Sequence, residues 1–139
     1  MKTFIKPTSG LSRVRDYYGS GQFHASRGRR LHNGLDLVSR PNEFVKSPIK
    51  GVLTREANPY RDDPRFKGVL IKGTGEFDGI EVKLFYVMGL KCGNVEQGEV
   101  IGTAQDLSIK YPGITNHIHM EVKEFGLVTS PNKFFNYCI

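Results

Sequence analysis

The sequence has no tryptophan, only two cysteines and no long hydrophobic run. A membrane-spanning helix needs about 20 consecutive apolar residues. No run of that length is present, so the sequence predicts no such helix. Cys92 and Cys138 allow at most one bridge, and neither lies in a C-x-x-C or C-x-H cluster, which argues against a disulfide scaffold and a cysteine zinc site. We expect free thiols and a chain that was not built for an oxidising compartment.

The length of 139 residues predicts a single domain spanning 1–139, and the 38% of hydrophobic residues suffices for a folded core. The formal charge is +6, with Arg27, Arg29 and Arg30 close together. A basic balance favours an anionic partner: nucleic acid, anionic lipid or a negatively charged cell-wall polymer. No nucleic-acid recognition motif is present. A nucleic-acid-binding barrel built on 27–30 is therefore the weakest of the functional readings.

Sixteen glycines and seven prolines divide the chain into short pieces, and no window shows sustained helical periodicity. Short runs rich in β-branched and aromatic residues alternate with turn residues, which predicts an all-β fold of antiparallel strands, as a sandwich or open barrel. Helix is expected only in a short turn or in the tail, 131–136. Long loops are predicted at 57–68 and 103–116. Loops that connect the strands of a rigid sheet are where substrate grooves usually form. The predicted strands are 44–50, 52–54, 69–72, 80–87, 100–103 and 117–122.

The four histidines of the chain include three in a pattern typical of a hydrolytic metal site. His32 and Asp36 lie four residues apart, and His117 and His119 lie on the same face of a predicted strand because side chains alternate there. A catalytic zinc ion takes three ligands from histidine and carboxylate and keeps one position open for water. His32, Asp36 and one of the paired histidines would supply that set, with the other histidine beside the open position. The types of ligand are the only indication that the metal is zinc. Manganese or iron could also occupy a site of two histidines and an aspartate.

Taken in order, these motifs resemble the lysostaphin-type (LytM-like) zinc metalloendopeptidases. The resemblance extends through most of the chain and includes the H-x-G-x-D segment and the H-L-H-F-E strand. The matching segments are 6–10, 29–37, 45–52, 95–102 and 117–122.

The resemblance implies one Zn²⁺ ion bound by His32, Asp36 and His119. It implies that His117 stabilises the reacting water and the developing oxyanion. The implied substrate is the peptide part of bacterial peptidoglycan, which suits a basic protein. Candidate residues of the substrate groove are Tyr86, Asn116 and Arg30.

One position departs from the family pattern. The family carries a further catalytic histidine in a Y-x-H-L segment, and Met88 stands at the matching place here. A thioether neither accepts nor delivers a proton at neutral pH. Either another group replaces the missing histidine, or the hydrolase is weak or inactive. The titratable candidates for the replacement are His24, Tyr86 and Glu121. Glu121 could also orient a metal-bound histidine from outside the ligand set.

A chemotaxin-like branch of the same fold is similar to this chain at 82–87 and 110–119, and it also lacks that histidine. The resemblance implies that Glu81 and Lys123 occupy places where this branch has two bonded cysteines, so that an ion pair replaces a bridge. Because the bridges of that branch are missing, we expect a microbial or viral protein. The basic start, 1–7, has no apolar stretch behind it, so no secretory signal is expected.

Two functions from different classes follow. The first is a zinc-dependent endopeptidase that cuts cell-wall peptides in phage entry or lysis, as an endolysin does, from a microbial cytoplasm or a phage particle. The second is an inactive, zinc-stabilised module that binds an anionic glycan, wall peptide or protein. We expect a monomer in either case.

Overall fold

The computed structural model describes residues 3–13, 26–27, 30–31 and 33–135, whose strands are short and pair antiparallel. The helical segments of these ranges are short 3₁₀ helices, including one at Pro131–Phe134 in the predicted tail. The predicted all-β class is therefore confirmed. In chain order the strands are β1 Ser26–Arg27, β2 Arg30–Leu31, β3 Leu35–Val38, β4 Phe44–Lys46, β5 Gly51–Ala57, β6 Gly68–Gly73, β7 Ile80–Phe85, β8 Val87–Gly89, β9 Gly93–Val95, β10 Val100–Ala104, β11 His117–Glu124 and β12 Leu127–Thr129.

The strands form open sheets and do not close into a barrel. A seven-stranded sheet runs in the order β12-β11-β7-β6-β5-β9, and β3 pairs with β11 beside β12. A three-stranded sheet has the order β4-β10-β8, and β1 pairs with β2. No helix of the described ranges is both long and apolar enough to cross a membrane.

The central strands β7 and β11 alternate between a buried and a polar face. Full burial of one such aliphatic side chain stabilises the fold by about 1.5–3 kcal/mol. A slip of one residue would move every buried side chain to the polar face, so burial fixes the register of both strands. The buried side chains are Ile80, Val82 and Leu84 in β7 and Ile118, Met120 and Val122 in β11.

One hydrophobic core joins the two larger sheets. Val45, Val87 and Ile101 of the three-stranded sheet belong to the same buried cluster as the inner side chains of β7 and β11. Near the chain ends, the ring of Phe4 stacks on Phe134 with 4.4 Å between centroids. The core therefore supports the sheet from which the polar face of β11 is presented.

Several predicted strands differ from those observed. The segment 44–50 is a strand only over Phe44–Lys46, and 52–54 is part of the longer Gly51–Ala57. The run 80–87 is interrupted at Tyr86, whose φ of 67° lies in the left-handed region. The predicted loops 57–68 and 103–116 connect strands as expected, but residues 57, 68 and 103–104 at their ends belong to the strands themselves.

The structure also bears on the cysteines and on the pair implied by the resemblance. Glu81 and Lys123 are direct partners across β7 and β11, and the Glu81 carboxylate also lies 4.0 Å from Lys72 Nζ. Cys92 is an exposed free thiol, and Cys138 lies outside the described residues.

Candidate functional site

The pairing of β3 with β11 brings the two sequence motifs together. Asp36 is the direct cross-strand partner of His119. Asp36 Oδ1 lies 2.9 Å from His119 Nδ1. The Asp36 side chain is only 4% exposed, so its charge depends on its neighbours. Two residues separated by 83 positions thus form one polar centre in the sheet.

His117 approaches the same carboxylate from the other side. Its Nε2 lies 3.4 Å from Asp36 Oδ2, and its Nδ1 donates to the carbonyl oxygen of Thr115 at 2.8 Å. Burial lowers the pKa of His117, against the opposing effect of the Asp36 charge. The ring is therefore neutral at pH 7, and its Nε2 presents a lone pair to Asp36.

His119 lies between two carboxylates. Its Nε2 is 2.8 Å from Glu121 Oε2, while its Nδ1 contacts Asp36. Burial favours a lower pKa, but the hydrogen bonds and charges of Asp36 and Glu121 outweigh it and raise the pKa of His119 to about 9. The ring of Phe85 also stacks on the imidazole at 5.6 Å. Glu121 and Phe85 together hold the orientation of His119.

Arg13 supplies a buried positive charge to the centre. Its Nη2 lies 3.2 Å from Asp36 Oδ2, and its side chain is 3% exposed. The segment before β3 runs antiparallel to it, because Ser12 bridges Leu37 and the Arg13 amide donates to the Asp36 carbonyl at 2.7 Å. A lone arginine carries no sequence signal of this kind, so the motifs do not predict its position here.

Glycine is required at position 34 by the close approach of β11. A Cβ atom there would lie 2.2 Å from the carbonyl oxygen of Met120 and 2.9 Å from Cε1 of His119. Only a residue without a side chain lets this backbone pass against the imidazole. The glycine of the H-x-G-x-D segment therefore has a steric reason.

Tyr86 forms one wall of the centre. Its ring lies edge-on to His117, with 5.6 Å between centroids. Its hydroxyl is 2.7 Å from that of Tyr60, which is 2.6 Å from that of Tyr111. Burial raises the pKa of Tyr86 to about 12, so it remains a phenol at neutral pH. The three hydroxyls join the two long loops beside the histidines.

The remaining predicted site residues have different surroundings. The Asn116 amide accepts from Leu107 N and donates to the carbonyl oxygens of Ser39 and Gln105, which anchors the second long loop. Only the backbone of Arg30 is described, in β2. Substrate contact by Asn116 and Arg30 stays a prediction. Met88 is 43% exposed.

The donors that are described suit a zinc ion. Asp36 Oδ1 and His119 Nδ1 converge, and the second nitrogen of His119 has the carboxylate partner typical of a metal-binding histidine. His117 Nε2 lies beside the same carboxylate, 3.4 Å from Asp36 Oδ2. Over the part of the chain that the structure describes, no group of three or more His, Cys, Asp or Glu is arranged to bind a metal. The predicted ligand His32 lies outside it, as does His24.

Comparisons with known proteins place the fold and the family. No family model matches the chain. Among solved structures, a Pseudomonas aeruginosa structure assigned to peptidase M23 has a TM-score of 0.64 at 17% identity, covering 96% of this chain and 50% of that one. A zinc-containing peptidase from Vibrio cholerae has a TM-score of 0.54 at 19% identity, covering 91% of this chain and 35% of that one. At these identities the likeness concerns the fold.

The sequence comparison goes further. Over 116 residues the chain is 35% identical to leukocyte cell-derived chemotaxin-2 of Bos taurus and of Mus musculus, a match that covers 82% of this chain and 74% of the relative. This agrees with the similarity noted at 82–87 and 110–119. The chain belongs to the leukocyte cell-derived chemotaxin-2 family and has the fold of the M23, lysostaphin-type peptidases.

Proposed function

We propose that the protein is a zinc-dependent endopeptidase that hydrolyses peptide bonds of bacterial cell-wall peptidoglycan. The observation that carries the proposal is the position of His117. Its Nδ1 donates to the carbonyl oxygen of Thr115 at 2.8 Å, which leaves Nε2 as the nitrogen that can act as a base, and Nε2 lies 3.4 Å from Asp36 Oδ2. A histidine held in this way is built to accept a proton.

In this proposal His32, Asp36 and His119 hold one zinc ion. When bound, zinc acidifies water and polarises a carbonyl group. Glu121 orients the ring of His119 through the 2.8 Å contact at Nε2. His117 accepts the proton of the attacking water at Nε2, and a positioned general base of this kind contributes about 10²–10⁴-fold to the rate.

Tyr86 takes the catalytic role of the missing family histidine in this proposal. Its hydroxyl remains protonated at neutral pH, so it can donate a hydrogen bond to a developing oxyanion or a proton to a leaving amine. The ring already lies against His117. Its left-handed φ of 67° is the kind of backbone strain that clusters at active sites, at a cost of about 1–3 kcal/mol.

The substrate assignment rests on charge and on the fold. The formal charge of +6 suits an anionic wall polymer, and the M23-type neighbours are peptidases by name. We assign the action to the cell wall, by a monomer from a phage particle or a microbial cytoplasm.

The test is the release of new amino groups from purified peptidoglycan. Zinc-loaded protein should release them, and chelated protein and His117→Ala should not. Metal analysis separates the roles of the paired histidines: His119→Ala should lose tight zinc binding, and His117→Ala should keep it. The reverse pattern would exchange their roles.

A second function is favoured by Met88 and by the name of the relatives. Met88 has no proton to exchange, and the relatives are named as chemotaxins and not as peptidases. The alternative is a zinc-stabilised module that binds an anionic glycan, wall peptide or protein without cutting it. A folded, zinc-bearing protein that sediments with insoluble peptidoglycan but releases no amino groups would establish it.

A further inference from the structure

Arg13 and Asp36 form a buried ion pair whose geometry divides the two carboxylate oxygens. Oδ2 faces Arg13 Nη2 at 3.2 Å and His117 Nε2 at 3.4 Å. Oδ1 faces His119 Nδ1 at 2.9 Å. The two oxygens of one side chain therefore have separate partners.

The backbone holds this division in place. The Arg13 amide donates to the Asp36 carbonyl at 2.7 Å, and the Val38 amide donates to the Leu11 carbonyl, also at 2.7 Å. The segment that carries Arg13 is thus paired along β3. Neither side chain of the ion pair is more than 4% exposed, so bulk water does not compete for Oδ2.

A carboxylate can bind a metal ion through one oxygen or through two. The number of oxygens bound determines how many coordination positions of the ion remain open. A catalytic zinc site has three protein ligands and one position for water or substrate. If both oxygens of Asp36 bound the ion, the second would occupy space on the side where His117 Nε2 lies. The guanidinium of Arg13, with Nη2 at 3.2 Å from Oδ2, competes with a metal ion for this oxygen.

We propose that Arg13 is a positioning residue that reserves Asp36 Oδ2, so that the carboxylate offers a metal ion Oδ1 alone and the position beside His117 stays open. This inference rests on the proposed metal site. According to this inference, Arg13 determines the coordination number of the metal. That role is distinct from the contribution to stability that any buried ion pair can make.

The test uses Co²⁺ in place of zinc, because the visible absorption of Co²⁺ is strong in a four-coordinate site and severalfold weaker in a five-coordinate one. We expect an intense four-coordinate spectrum for the unaltered protein and a severalfold loss of intensity for Arg13→Met. Arg13→Lys retains a charged donor and should keep most of the intensity. The matched control is Arg65→Met, which removes the ion pair of Arg65 with Asp63 and should leave the spectrum unchanged.

A measurement on the unaltered protein covers the case in which Arg13→Met does not fold. X-ray absorption of the zinc-loaded protein should show a single carboxylate oxygen. A bidentate carboxylate there, or an unchanged cobalt spectrum in folded Arg13→Met, would overturn the role of Arg13 while leaving the metal site intact. Failure of the unaltered protein to bind Co²⁺ or Zn²⁺ would overturn the proposed function and this inference together.

Discussion

Tyr86 lies edge-on against the imidazole of His117, with 5.6 Å between the ring centroids and an interplanar angle of 89°. The contact joins the residue with the strained backbone to the one proposed as the general base. It also connects the base to a chain of three phenol hydroxyls. This relationship leads to the first prediction.

Tyr86→Phe should keep the ring contact with His117 but lose the phenol proton. If Tyr86 donates to the transition state, kcat for peptidoglycan should fall by about 10²–10⁴-fold with little change in KM, in keeping with the usual contribution of a positioned acid. Tyr111→Phe is the control, because it removes the other hydrogen bond of Tyr60 and leaves Tyr86 intact. Equal kcat losses in the two variants would show that the cluster only supports the loops.

Met88→His tests whether the family histidine can work in this chain. Met88 is part of β8 and pairs with Thr103, and its partial exposure leaves room for an imidazole. If its position still faces the reacting centre, peptidoglycan cleavage should rise, and in the Tyr86→Phe background it should recover. Thr103→Ser, at the partner position, is the control. An unchanged rate in both backgrounds would mean that β8 does not present residue 88 to the substrate.

The sequence predicted β7 and β11, whose side chains alternate, and missed β3 and β12, whose side chains do not. β7 and β11 have one apolar and one polar face, which gives a clear period of two. β3 has three consecutive buried residues, and β12 is mostly exposed. Neither pattern distinguishes a strand from a loop.

The residues of the candidate site also differ in how far the local sequence predicts them. Asp36, His117 and His119 can be proposed from the sequence because their residue types and spacing have a chemical meaning, and the structure brings the three side chains together. Arg13 was missed because its importance comes from the pairing of 12 with 37, which local sequence does not encode. Glu121 was recognised only as one candidate among several, until the 2.8 Å contact with His119 decided its role.

Asp36→Asn should be strongly destabilising in the metal-free protein. It leaves a buried guanidinium and two histidines without their common carboxylate, and removing one partner of a buried ion pair costs about 3–5 kcal/mol. Urea unfolding should show this loss. Asp63→Asn, which breaks a pair with the 56% exposed Arg65, should cost much less. Similar losses in the two variants would contradict the buried character of the Arg13–Asp36 pair.

The metal-free protein should lose stability as the pH rises. The folded-state pKa of His119 is raised to about 9, against about 6.5 in an unfolded chain. Protonation therefore stabilises the fold fully below pH 6.5, and this contribution is lost as the pH rises through 9. The shift corresponds to at most about 3 kcal/mol.

Urea midpoints in the presence of chelator, at pH 6 and at pH 9, measure this loss. Glu121→Gln removes one of the two carboxylates that raise the pKa and should reduce the difference. Zinc should reverse the trend, because a ligand histidine must lose its proton to bind, so zinc affinity should increase over the same interval. A chelated protein that is equally stable at both pH values would show that His119 is not protonated in the fold.

Gly34→Ala should damage the site from a position that has no chemistry of its own. The added methyl group meets the Met120 carbonyl at 2.2 Å and the His119 ring at 2.9 Å, so β3 and β11 must separate or the imidazole must turn. Both outcomes pull Asp36 Oδ1 away from His119 Nδ1. Thermal unfolding should shift to lower temperature, and zinc affinity should fall by about 10- to 100-fold, as when the support of a ligand is lost. Gly89→Ala is the matched control, since its methyl group would meet only Cγ1 of Val69, at 3.2 Å, and no backbone atom. If Gly34→Ala binds zinc as tightly as Gly89→Ala, the close approach at residue 34 serves packing alone.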